Sequence, residues 1–140
     1  LGNFTLPISQ YVKRIVGIEG DSGLVERAKE NAKMNEVSNA SFYKADLFED
    51  VSGFEWFRGQ KYNKALIDPA RTGAIEIVEL LPKLGIERLV YVSCNPATLA
   101  RDTARLIELG FSLMSAGVMD MFPQTAHVES IALFIRKKNA

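Results

Sequence analysis

A single cysteine, Cys94, excludes any internal disulfide framework and suits a reducing compartment such as the cytoplasm. A single histidine, His127, adds too little to form a Cys/His cluster of the kind that holds zinc. No apolar run approaches the roughly 20 residues needed to span a bilayer. No basic start followed by an apolar core marks a signal peptide. Net charge is also lacking, because 17 basic residues balance 17 acidic ones. Domains that bind nucleic acid unaided are usually basic. Bulk charge therefore gives no support for such binding, and most of any phosphate-binding surface is expected outside this chain. Repeats, low-complexity tracts and linkers are absent as well. What remains is an ordinary globular composition, 47% hydrophobic and 24% charged over 140 residues, the size of one domain. The opening Leu1-Gly2-Asn3-Phe4 reads as the middle of a turn, so an N-terminally truncated domain is expected.

Helix-period and strand-like segments alternate along the chain, which argues for an α/β sheet. Thr5 to Arg14 can form a helix, with Pro7 in its first turn. Ile15 to Ile18 is a short apolar run ending at Glu19. Asp21 or Ser22 can cap a helix running to about Asn35, whose Leu24, Val25, Ala28 and Ala32 share a face. A strand over Ala40 to Ala45 ends at Asp46. Phe48 to Gly59 reads as a short helix and a loop. Lys64 to Ile67 is a strand that runs into Asp68-Pro69, and Ile75 to Leu84 is a helix. Leu89 to Ser93 is the clearest central strand. Asn95 caps the next helix, with Pro96 at its first position and Gly110 past its end. Phe111 to Val118 and Ser130 to Arg136, with no helix between them, can pair antiparallel. The pattern predicts a Rossmann-like, mostly parallel sheet with an antiparallel final strand, in the variant used by S-adenosylmethionine-dependent methyltransferases, with its first strand missing. Ligands of such sheets bind beyond the carboxyl ends of the strands, where Glu19, Asp46, Asp68 and Cys94 fall.

Glu19 can accept hydrogen bonds from both ribose hydroxyls of a nucleoside cofactor. Asp46 can accept from an adenine amino group. Each has a plainer reading, Glu19 as a solvated strand-end acid and Asp46 as a helix cap. The pair is more specific than either member. Gly2-Asn3 reads as the tail of a glycine-rich cofactor loop, or simply as a turn.

Cys94 lies between a strand and a well-capped helix, whose peptide N–H groups favour a nucleophilic thiolate. The competing reading is a buried small hydrophobe, against which its place at a strand end argues. Asp68 can position the polar edge of a base, or serve only an Asp-Pro turn. Glu129 can act as a general base if its pocket raises its pKa, or stand as an exposed acid at a strand start. His127 reads as a loop residue or an orienting neighbour. Arg71 reads as a surface arginine or as a holder of carboxylate or phosphate.

Four segments resemble the RNA 5-methyluridine methyltransferases. They are Leu1-Gly2-Asn3-Phe4-Thr5-Leu6-Pro7, Asp68-Pro69-Ala70-Arg71, the run Ser93-Cys94-Asn95-Pro96-Ala97-Thr98-Leu99-Ala100-Arg101-Asp102, and Asp120-Met121-Phe122-Pro123-Gln124-Thr125-Ala126-His127-Val128-Glu129-Ser130. The resemblance covers essentially the whole chain, and its wording is nearest the members that act on bacterial 23S ribosomal RNA. It implies that Cys94 adds to carbon 6 of uracil and that carbon 5 takes a methyl group from S-adenosylmethionine. It implies that Glu129 then removes the carbon 5 proton, that Asp68 binds the uracil, and that Asn3, Glu19 and Asp46 bind the cofactor. It also implies an RNA-binding barrel, a central domain and often a cysteine-ligated iron–sulfur cluster, none of them in these 140 residues, since one cysteine cannot build a four-cysteine cluster. The fragment alone is therefore expected to be inactive, with RNA engaged through the full-length enzyme and no membrane partner. Alternatives are a methyltransferase acting on transfer-RNA uridine, on a nitrogen or on a small molecule, and a non-catalytic nucleotide- or RNA-binding module. A nicotinamide dehydrogenase would leave Cys94 and Glu129 without roles.

Overall fold

The structure, a computed structural model, describes residues 1–121, 123–125 and 127–137. The chain divides into two compact units, Leu1–Arg58 and Gly59–Ala140.

The first unit contains α1 (Thr5–Ser9), β1 (Ile15–Glu19), α2 (Ser22–Met34) and β2 (Ala40–Lys44). β1 and β2 pair in parallel, from Ile15 opposite Ala40 to Glu19 opposite Lys44. Asp21 caps α2 by accepting from Leu24 N at 2.9 Å, which satisfies one of the free amides of the first turn. Val25, Ala28 and Ala32 form the buried stripe of that helix. α1 is shorter than the sequence suggests, ending at Ser9 instead of Arg14. Ser9 Oγ donates to Leu6 O at 2.6 Å, and Asn39 Nδ2 donates to both Ser9 O and Val12 O at 2.8 Å. These side chains take over carbonyls that a continuing helix would have used. Residues 47–58 form turns and no helix. They are organised by Asp50, whose carboxylate accepts from both Ser52 N and Ser52 Oγ, and by the buried Val51 and Trp56.

The second unit contains β3 (Lys64–Ile67), α3 (Ile75–Leu84), β4 (Arg88–Ser93), α4 (Pro96–Glu108), β5 (Phe111–Met119) and β6 (Glu129–Arg136). Its sheet has the order β3-β4-β6-β5. β3 runs parallel to β4, while β6 runs antiparallel to both β4 and β5. The expected antiparallel finish is therefore present. Alternation along β4 and β6 sends Leu89, Tyr91, Ala132 and Phe134 to one face, with Leu89 opposite Phe134 and Tyr91 opposite Ala132. Those residues form one core with Val78 and Leu81 of α3, Leu106 of α4, Ile86 and Phe111. Each large side chain buried there contributes roughly 1.5–3 kcal/mol. Pairing of β5 with β6 shifts register between Leu113 and Ser115, a bulge that bends the edge strand. No helix among the described residues is long and apolar enough to cross a membrane.

Candidate functional site

In the second unit, strand register brings together three of the residues singled out from sequence. β3 ends with Ile67 opposite Tyr91, so Asp68 leaves the sheet at the carboxyl end, where β4 delivers Cys94. The last β4–β6 pair is Ser93 with Ser130. Cys94 and Glu129, the first residue of β6, each lie one residue beyond that pair, at the same end of the sheet. Three adjacent strands thus place an acid, a thiol and a second acid at one end of the sheet. Cys94 and Glu129 are half-buried. The Asp68 carboxyl is held above the usual carboxylate range, first by partial burial and then by the nearby charge of Glu129.

The backbone around Cys94 is braced on both sides. Ser93 Oγ accepts from Asn95 N at 3.0 Å and donates to Asn95 O at 2.9 Å. Asn95 caps α4 through Oδ1, which accepts from Ala97 N at 3.1 Å, with Pro96 at the start of the helix as expected. In the loop leading to β6, His127 Nδ1 lies 2.9 Å from Arg71 Nη2. A guanidinium can only donate, so this contact needs the Nε2–H tautomer of His127. The contact ties the loop after β3 to the loop before Glu129. Phe122 and Ala126 of the closing motif lie outside the described residues, as do residues 138–140.

In the first unit, Glu19 and Asp46 lie at the carboxyl ends of β1 and β2. Glu19 is half-buried, and its Oε1 accepts from Gly20 N at 2.9 Å. Asp46 is exposed, and its Oδ1 accepts from Phe48 N at 3.0 Å. It shapes a turn and caps no helix. A carboxylate offers about four acceptor sites, so both acids retain capacity for ligand donors. Asn3 is exposed in the turn before α1. This set of acceptors suits the hydroxyl and amino donors of an adenosyl group.

The model of the tRNA (Uracil-5-)-methyltransferase family matches residues 1–138. The chain belongs to that family. A 23S rRNA (uracil(1939)-C(5))-methyltransferase RlmD from Vesicomyosocius okutanii is 72% identical over 137 residues, covering 98% of this chain and 31% of the relative. The RlmD of Alcanivorax borkumensis is 55% identical over 138 residues, covering 99% of this chain and 31% of the relative. The chain thus spans about a third of the length of the curated relatives it matches. Among solved structures, an rRNA methylase from Streptococcus thermophilus aligns with a TM-score of 0.70 at 10% identity, over 96% of this chain and 80% of that one. The N-methyltransferase NodS from Bradyrhizobium japonicum, in complex with S-adenosyl-l-homocysteine, aligns at 0.74 and 16% identity, over 98% of this chain and 74% of that one. At such identities the likeness establishes the Rossmann-like methyltransferase fold.

For this uracil-5-methyltransferase family member, sequence reasoning missed a second layer beneath the site. Asp102 of α4 is fully buried. Its Oδ2 accepts from Ala74 N at 2.7 Å and from Tyr91 Oη at 2.6 Å. Its Oδ1 accepts from Arg101 Nε at 2.8 Å and Nη2 at 2.7 Å. A signal was available: Leu99, Asp102, Thr103 and Leu106 fall at i, i+3, i+4 and i+7, the spacing of a buried stripe, and an acid on that stripe must have partners. The same network explains Gly73, whose φ is +84°. A Cβ there would stand 2.5 Å from Arg101 Nη2 and 2.7 Å from Asp102 Oδ2.

Proposed function

We propose that residues 1–140 form the methyltransferase catalytic domain of a longer cytoplasmic enzyme that methylates carbon 5 of a uridine in bacterial 23S ribosomal RNA. The observation that carries this reading is the strand register, which brings Asp68, Cys94 and Glu129 to the same end of three adjacent strands. The high identity to RlmD proteins supports the choice of RNA. The balanced charge of this chain supports placing most phosphate contact in the rest of the enzyme, read as an RNA-binding barrel and a central domain. A four-thiolate iron–sulfur cluster does not fit a chain with one cysteine, so any cluster belongs to those other domains.

Carbon 5 of uracil is a poor nucleophile until carbon 6 is attacked. The Cys94 thiolate adds to carbon 6, and the ring then carries enolate character that makes carbon 5 reactive. Asp68 holds the polar edge of the base so that attack occurs from one geometry. As a carboxylate Asp68 can accept from the ring N–H, and as the acid it can donate to a uracil carbonyl. Asn3, Glu19 and Asp46 would hold S-adenosylmethionine, which would supply the electrophilic methyl group to carbon 5 and be released as S-adenosylhomocysteine. Glu129 takes the carbon 5 proton, and the electron pair left behind expels Cys94 from carbon 6. The base must leave its stack for the thiolate to reach the ring.

The test is a chimera in which this chain replaces the matching 137 residues of the Vesicomyosocius RlmD. It is challenged with RNA carrying 5-fluorouridine at the target. Fluorine cannot leave as a proton, so the adduct persists after methyl transfer. A protein–RNA species on a denaturing gel that needs both S-adenosylmethionine and Cys94 is expected, and Cys94→Ala should abolish it. Methylation of ordinary RNA by Cys94→Ala would return Cys94 to a structural role and favour a nitrogen-methylating chemistry.

A further inference from the structure

A fully buried carboxylate is costly unless every lone pair is used. Asp102 and Leu106 are the two fully buried residues of α4, so the acid sits where a leucine would pack without cost. What it gains there is a grip on the loop that follows Asp68. Three points of that loop are held from α4 and its cap. Arg71 O accepts from Asn95 Nδ2 at 3.0 Å and Thr98 Oγ1 at 3.2 Å. Thr72 O accepts from Arg101 Nη2 at 2.9 Å. Ala74 N donates to Asp102. The third element is β4, through Tyr91 Oη. α4 begins two residues after Cys94, and the loop begins at Asp68. The clamp therefore fixes the two groups that must meet one base.

We propose that Arg101 and Asp102, with Tyr91 and Thr98 as supports, are positioning residues that hold the Asp68 loop in register with Cys94. This inference rests on the reading of Asp68 and Cys94 above. Asp102 is fully buried, and the Arg101 guanidinium is engaged with Asp102 and Thr72 O. Their effect runs through geometry, and a misplacement of about 1 Å in a reacting pair can cost on the order of 100-fold in rate.

The experiment separates positioning from folding by reading rate and amplitude independently. The chimera and its variants are mixed with 5-fluorouridine RNA and S-adenosylmethionine in single turnover. The rate constant of adduct formation reports geometry, and its amplitude reports the folded fraction. Arg101→Ala, a side chain half-exposed to solvent, should fold. Its rate constant should fall about 10- to 100-fold, with most of the amplitude retained and the KM for S-adenosylmethionine within about twofold. Tyr91→Phe removes one hydrogen bond without changing the core and should slow the same step by a smaller factor. Val25→Ala, a buried position of α2 in the first unit and outside the clamp, should lower amplitude and leave the rate constant alone. A parent chimera that forms no Cys94-dependent adduct would overturn the site reading and this inference with it. A parent that forms the adduct while Arg101→Ala reacts within about twofold of its rate would overturn this inference alone.

Discussion

Gly73→Ala offers a quantitative test of the clamp, because the structure supplies its own control. Gly73 and Gly110 have nearly the same backbone conformation, with φ of +84° and +86°. An alanine in that region costs about 1–2 kcal/mol at either position. The surroundings differ. At Gly110 the nearest atoms to a new Cβ are 3.8 and 3.9 Å away, on the flexible Arg136 side chain. At Gly73 they are 2.5 Å away on Arg101 Nη2, 2.7 Å on Asp102 Oδ2 and 3.1 Å on Thr98 Cβ. Arg101 can swing outward, but Asp102 Oδ2 is pinned by Ala74 N and Tyr91 Oη. The methyl group must therefore break at least one buried hydrogen bond to a charged group, which adds about 1.5–3 kcal/mol. Gly73→Ala should cost about 2.5–5 kcal/mol in total and Gly110→Ala about 1–2 kcal/mol. Urea unfolding of the two variants, followed by circular dichroism, measures the difference with the backbone penalty cancelled. If the two costs agree within about 0.5 kcal/mol, below the smallest of these terms, the clamp is soft and the geometric argument fails.

Asp68→Asn should raise stability at neutral pH. A carboxyl whose folded pKa exceeds its unfolded value of 3.8 binds its proton more tightly when folded, so stability falls as pH rises through that window and stays lower above it. The amide should recover about 0.5 kcal/mol after solvent screening and should show no advantage below the unfolded pKa. A loss of stability at pH 7, or a gain independent of pH, would refute the assignment. Tyr91 should resist alkaline ionisation, because burial first, and then the hydrogen bond and charge of Asp102, push its phenol above the ordinary 10.0. Its contribution is complete below pH 10 and is lost as pH rises beyond it, so Tyr91→Phe should remove a phenolate absorbance step that coincides with unfolding; persistence of that step would assign it elsewhere. Asp21→Ala removes the acceptor for Leu24 N and should cost about 1 kcal/mol. A cost near zero in thermal unfolding would show that water replaces the cap.

What could be read from the sequence were features decided within a few neighbouring residues. Asn95-Pro96 announced the start of α4, Asp21 the start of α2, and the helix expected over Ile75 to Leu84 is the full span of α3. Strand ends were legible for the same reason, and with them the positions of Glu19, Asp46, Asp68 and Cys94 beyond the carboxyl ends of their strands. The features that escaped depend on partners distant in the chain. α1 stops early because Asn39, 30 residues later, claims the carbonyl of Ser9. That Glu129 and Cys94 come to the same end of the sheet follows from the pairing of Ser93 with Ser130, and a slip of one residue would turn the β6 side chains to the other face. Asp102 escaped because an Arg-Asp pair on an amphipathic helix reads as solvated surface, although its place on the Leu99–Leu106 stripe demands burial. The chemistry in prospect divides along the same line. The proposed reacting groups stand at strand ends, where local sequence reveals them. The groups that fix their mutual distance lie in the layer beneath, where only the long-range hydrogen bonds between α4, β4 and the loop after Asp68 show what holds thiol and base in register.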